Sequence, residues 1–132
     1  MKEVFSVDVV IDSSYEVKSE GGDACMITFH GESNCENFKG KILPGGVDTQ
    51  KQFAYGERTL SARYILEGVD YTGEHCRIFI ENNGYFQKDG TIKTKPMILT
   101  DSKALCWMMT ADLTGTVTGA PNGVRIAFFQ ED

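Results

Sequence analysis

"TLSARYILE", residues 59–67, decides the fold class. Leu60, Ala62, Tyr64 and Leu66 fall on one parity, while Thr59, Ser61, Arg63 and Glu67 fall on the other. A side-chain period of two marks a strand with one face on a core and the other towards solvent. The pattern recurs along the chain. In "VFSVDVVI" (4–11), Phe5, Val7, Val9 and Ile11 oppose Ser6 and Asp8. "ACMITFH" (24–30) aligns Cys25, Ile27 and Phe29, and "FKGKIL" (38–43) sets Phe38, Gly40 and Ile42 against Lys39 and Lys41. "CRIFIEN" (76–82) sets Cys76, Ile78 and Ile80 against Arg77 and Glu81. "LCWMMTADL" (105–113) and "VRIAFFQ" (124–130) complete the predicted strands.

Clusters of breakers separate these runs: "SEGGD", "PGG", "YGE", "NNG", "KDG", "TG" and "APNG". Such residues supply the backbone conformations of tight turns. No window carries a helical period long enough to cross over between parallel strands. The expected fold is all-β and antiparallel, a closed barrel of roughly eight to ten strands with little or no helix. Closure is preferred to an open sandwich because it leaves no bare edges. The 132 residues form one expected domain, 1–132.

Composition narrows the function classes. Hydrophobic residues make up 41% and charged residues 24%, which excludes a disordered or fibrous chain. The formal net charge is −6 with scattered basic residues, so neither nucleic acid nor an anionic membrane is an expected partner. "MKEVFSVDVVIDSS" reads neither as a signal peptide nor as a membrane span, and a cytoplasmic location is expected. In that reducing setting Cys25, Cys35, Cys76 and Cys106 are expected to stay unpaired.

Metal and cofactor chemistry finds little support. His30 and His75 are far apart, and with Cys35 and Cys76 they give no CxxC, HxH or HExxH spacing. No glycine cluster opens a helix, so a phosphate cradle or dinucleotide fingerprint is not expected. A Ser-His-Asp triad has too few histidines to draw on.

What remains is a polar constellation. "GKILPGGVDTQ" (40–50) carries Asp48 and Gln50 on one parity behind a proline–glycine corner. Arg63 and Tyr64 sit on opposite faces of the 59–67 strand, Asn82 lies in "IENNG", and Trp107 on a later strand. Asp48 beside Arg63 forms a charge-assisted pair suited to an anionic or carbonyl-bearing ligand. In a partly apolar cavity Asp48 becomes a candidate general base. Each residue also has a plain structural alternative. Asp48 caps the PGG turn, Asn82–Asn83–Gly84 makes a type I′-like hairpin, and Trp107 packs in the core.

Taken in order, "KGKILPGGVDTQ", "LSARYILEG", "IFIENNG", "KPMILTDSKALCWM" and "GVRIAFFQ" resemble the family called domain of unknown function 3237, also known as the UPF0311 proteins. The resemblance implies a calycin-like barrel, similar in outline to small lipocalins, with no established activity. It also implies that Asp48, Gln50, Arg63 and Tyr64 gather near one barrel mouth.

Three functions follow as expectations. The first is a carrier or sensor that binds an apolar organic ligand through Asp48, Gln50, Arg63, Tyr64, Asn82 and Trp107. The second is a cofactor-free isomerase, cyclase or lyase with Asp48 as base and Arg63 or Tyr64 as oxyanion partner. The third is an oligomeric interaction protein with a filled barrel. Both ligand readings call for a polar-lipped cavity beside Asp48 of about 300 Å³. Strands apolar on both faces, "LCWMM" and "RIAFFQ", suggest that a second copy covers them, and a homodimer is expected.

Overall fold

The computed structural model describes residues 1–131. Nine strands follow in order: β1 (Lys2–Ser19), β2 (Gly22–Asn34), β3 (Phe38–Ile42), β4 (Val47–Phe53), β5 (Arg58–Asp70), β6 (His75–Phe86), β7 (Ile92–Thr100), β8 (Leu113–Ala120) and β9 (Gly123–Gln130). All pairings are antiparallel, and β1 hydrogen-bonds to both β9 and β2. The sheet therefore closes on itself. Among the described residues the only helical element is a 3₁₀ turn, Cys106–Met109. None is a helix long and apolar enough to cross a membrane.

Along β5, Leu60, Ala62, Tyr64 and Leu66 are buried, while Arg63, Ile65 and Glu67 are exposed. The inward residues fill one half of the barrel completely. Phe5, Phe38 and Phe128 are fully buried there, with Phe5 centred 5.8 Å from Phe38 and 6.4 Å from Phe128. Leu66, Ile78 and Leu105 are each fully buried around them.

Three expectations change. The segment "LCWMM" is not a strand. Leu105 and Met108, three apart, turn inward from the 3₁₀ turn and close the filled end, while Cys106 and Met109 face out. Its apolar residues on both parities thus reflect a helical spacing, which removes one of the two strands that motivated the homodimer. The turn is anchored by Ser102, whose hydroxyl donates to Asp70 Oδ2 (2.7 Å) and accepts from the Leu105 N–H (3.1 Å).

Second, the PGG corner does not reverse the chain. β3 and β4 both lie antiparallel to β2 and to β5, so they form one strand position interrupted at 43–46. The excursion is held at both ends by Leu43 N–H to Ile65 C=O (2.8 Å) and Phe29 N–H to Gly46 C=O (3.2 Å). Gly45 takes φ = +111°, a conformation open to glycine at little cost.

Third, Asn82–Asn83–Gly84 is not a hairpin. It runs through the middle of β6, paired with Ala62, Ser61 and Leu60 on one side and Pro96, Lys95 and Thr94 on the other. Gly84 has a packing reason: a Cβ there would collide with the Lys93 carbonyl and Thr94. Pro96 is tolerated inside β7 because β7 meets β8 only at Lys93 and Thr94.

Candidate functional site

The half of the barrel opposite the aromatic cluster is not filled. Val9, Ile27, Phe29, Leu60, Val117 and Ile126 are among the side chains lining a cavity of about 120 Å³, together with Asp48, Gln50, Ala62 and Asn82. That is smaller than the volume expected from sequence, because large aromatics occupy the remainder of the interior.

Asp48 and Gln50 reach the cavity because β4 keeps strict alternation after the PGG excursion. The excursion preserves the parity, so Asp48 and Gln50 face inward like Phe38 and Ile42 before it. Gln50 Nε2 donates to Asp48 Oδ2 at 2.9 Å, and Arg58 Nε donates to Gln50 Oε1 at 3.0 Å. The Arg58 guanidinium also lies 5.8 Å from the Phe86 ring centroid, a cation–π position that holds it at the rim. Asp48 Oδ1 is buried and has no hydrogen-bond partner among the described residues.

The electrostatics of Asp48 follow from this placement. Burial pushes its carboxyl above the ordinary carboxylate range, and the Gln50 amide, the Ser61 backbone and the Arg58 charge pull part of the way back. The result is a carboxyl that ionises less readily than a surface aspartate and keeps one buried oxygen without a partner among the described residues.

Asn82 is the second unusual group. It is 1% exposed, and neither its Oδ1 nor its Nδ2 has a partner among the described residues. Asp48, Ala62 and Asn82 occupy one register row across β4, β5 and β6. Buried amides are almost always satisfied, so an amide left open at a cavity wall calls for a ligand or solvent partner. Two more inward hydroxyls, Tyr64 Oη and Thr94 Oγ1, are likewise buried without protein partners.

The predicted site residues divide accordingly. Asp48, Gln50 and Asn82 converge on the cavity. Tyr64 lies inward one layer below, edge-on to the cavity-lining Phe29 at 5.5 Å, and burial pushes its phenol far above the ordinary range so that it stays a neutral donor. Arg63 is not at the site. It is exposed on the outer face, opposite Val47 and Glu81, because its parity is opposite to that of Ala62 and Tyr64. Trp107 is also elsewhere, partly buried at the filled end in a groove with Lys2, Glu3, Phe5 and Asn37.

Two residues of the site escaped the sequence reading. Arg58, not Arg63, supplies the cation, and Ala62 forms the floor between Asp48 and Asn82. Carrying the 60–62–64 parity one step back to 58 would have found the arginine.

Comparison with known proteins finds relatives of unknown function and, among solved structures of the same fold, an enzyme from Penicillium herquei at 17% identity with a TM-score of 0.77, covering 99% of this chain and 92% of its own. The sequence model of DUF3237, described as a protein of unknown function, matches residues 1–130. A UPF0311 protein from Clostridium acetobutylicum is 29% identical over 149 residues, covering 98% of this chain and 92% of the relative. A crystal structure of a protein with unknown function from C. acetobutylicum superposes with a TM-score of 0.83 at 28% identity, covering 99% of this chain and 98% of the other. A β-barrel-like protein from Acinetobacter baumannii shares the fold at 18% identity, with a TM-score of 0.71 over 98% of this chain and 93% of its own.

Proposed function

The chain belongs to DUF3237, a family of proteins of unknown function, and on that footing we propose that it is a small-molecule-binding β-barrel, a carrier or sensor that takes its guest at the Asp48 end. One observation carries the reading: Asp48 and Asn82 line an apolar cavity, and three of their buried polar atoms, Asp48 Oδ1 and both amide atoms of Asn82, have no partner among the described residues. Ligand sites combine apolar walls with a few such polar groups. The volume sets the guest. An apolar cavity of about 150 Å³ holds benzene, so about 120 Å³ in a cavity that is not fully enclosed limits the guest to about a single six-membered ring. The test is an amide-resonance titration with small organic compounds of that size. Shifts should cluster on residues 48–50, 60–62 and 82, and Val117→Phe, which fills the cavity, should abolish them. Resonances that stay put for every such compound refute the reading.

A second reading is favoured by the state of Asp48. A carboxyl with a raised pKa and a free oxygen beside apolar space is suited to proton exchange with a bound carbonyl compound. As a cofactor-free acid–base enzyme the protein would use Asp48 as base, with Asn82 Nδ2 as the donor nearest the developing charge in place of Arg63.

Self-association has its own support. Ile65, Phe79 and Leu99 form one register row on the outer face of β5, β6 and β7, and Leu99 is 54% exposed. On one side the row is flanked by the Arg77–Glu67 ion pair (2.7 Å), on the other by Arg63 opposite Glu81. A face with both charge signs at each margin is self-complementary under a two-fold axis, so a second copy of this chain is the proposed partner. A monomeric mass by light scattering at micromolar concentration refutes it.

A further inference from the structure

Resting on the small-molecule reading above, we propose that the guest's polar group is a single hydroxyl, held over Ala62 between Asp48 Oδ1 and Asn82 Nδ2, which makes the ligand a compact hydroxylated hydrocarbon, an alcohol or phenol.

The argument begins with the register. Asp48, Ala62 and Asn82 stand side by side on three adjacent strands, all directed inward. Neighbouring strands are about 4.8 Å apart, so the Asp48 and Asn82 backbones are separated by about 10 Å. Both side chains are short, and in the proposed geometry they lean towards each other over Ala62. One heavy atom placed about 2.8 Å from each closes the span. Ala62 is the smallest side chain a chiral residue can present, and it leaves the space between them free.

The chemistry of the three unpaired atoms then selects the group. Asp48 has already committed Oδ2 to Gln50 and offers only Oδ1. As a carboxylate it is acceptor-only, and Asn82 offers an amide donor and an amide acceptor. A hydroxyl joins the two strands through two of the three atoms, donating its proton to Asp48 Oδ1 and accepting from Asn82 Nδ2, and leaves no donor of its own unpaired. A carbonyl oxygen cannot donate and leaves Asp48 unpaired. An ammonium brings three N–H donors to two acceptors, Asp48 Oδ1 and Asn82 Oδ1, so one of its own donors and the Asn82 donor stay unpaired. A carboxylate on the guest sets like charges together over Asp48. Mismatched polar groups in such a site are rejected strongly because buried partners stay unsatisfied.

The Arg58–Gln50 relay holds the acceptor in place. With Arg58 on Gln50 Oε1, the amide can only present its N–H to Asp48, which fixes Oδ2 and leaves Oδ1 facing the row. Apolar lining by Val9, Ile27, Phe29 and Leu60 accommodates the hydrocarbon body.

The experiment compares benzene and phenol, which differ by one oxygen, by resonance titration against four proteins: wild type, Ala62→Leu, Asn82→Leu and Val117→Phe. Phenol is expected to bind wild type at least tenfold more tightly than benzene. Asn82→Leu should reduce that preference to within about threefold while benzene binding persists. Ala62→Leu should remove phenol binding, and Val117→Phe the binding of both. Equal affinity of wild type for benzene and phenol overturns the hydroxyl bridge but leaves the cavity reading standing. A phenol preference that survives both Ala62→Leu and Asn82→Leu overturns the location. Failure of both compounds to bind overturns the inference together with the reading on which it rests.

Discussion

Replacing Asn82 by leucine should make this protein more stable. The two side chains have the same branched skeleton, so the change substitutes methyl groups for the amide oxygen and nitrogen with little change of shape. Asn82 is 1% exposed and neither amide atom is satisfied within the protein. A buried polar group without a partner is destabilising by about 1–3 kcal/mol. No protein hydrogen bond is broken by the substitution, and the adjoining cavity absorbs any excess volume. The expected gain is about 2 kcal/mol, or a rise in Tm of about 4–8 °C for a chain of this size. Differential scanning calorimetry at neutral pH, with chemical denaturation as a check, gives the number. The same variant should lose its preference for hydroxylated guests. A fall in Tm of several degrees refutes the reasoning, because it would mean that Asn82 is a satisfied structural amide and that the polar row holds the fold, not a guest.

Four further outcomes follow from the same geometry. Because the folded pKa of Asp48 is raised, the protein's preference for the protonated acid helps the fold at low pH and is lost as pH rises past the ordinary carboxylate range near 4. Asp48→Asn should therefore raise Tm at pH 7 and lose that advantage below about pH 4 in a pH series of melts; if the protein proves to be an acid–base enzyme, the same change should lower turnover by about a hundredfold or more. Arg58→Met breaks the relay through Gln50, and wild-type-like guest affinity in that variant would show that the relay is idle. Gly84→Ala forces a Cβ against the Lys93 carbonyl and should lower the urea midpoint sharply, with β6–β7 amides losing exchange protection first. Asp70 accepts from the Thr72 hydroxyl, the Thr72 and Glu74 N–H groups and Ser102, which hold its carboxyl below the usual range. Its contribution is present above about pH 4 and lost on acidification, so Asp70→Asn should lower Tm at pH 7 and flatten the acid limb of the wild-type curve.

The site was half legible. Parity alone brought Asp48 and Gln50 to one face, because i and i+2 on a strand always share one, and parity also told against Arg63 beside Tyr64. Asn82 was read two ways, as site residue or hairpin turn, since Asn-Asn-Gly carries a turn signal whether or not the chain reverses there. What overrode the signal is non-local: Gly84 is required by the close approach of Lys93 and Thr94 on β7, not by a turn. Trp107 was misplaced for a related reason. Five consecutive apolar residues fit a strand covered on both faces as well as a short helical plug, and only the barrel end that needed closing distinguishes them.

By itself the sequence determined the all-β class, the antiparallel pairing and the inward sets on most strands, since alternation and turn chemistry act over a few neighbouring residues. Tertiary structure alone decided that PGG is a break within one strand position and that Asp48, Ala62 and Asn82 share a row. Register between strands distant in sequence is set by the closure of the whole ring and by which side chains fill its core first. Three large aromatics claim one end of the barrel, and the cavity with its unpaired polar atoms is what their packing leaves at the other.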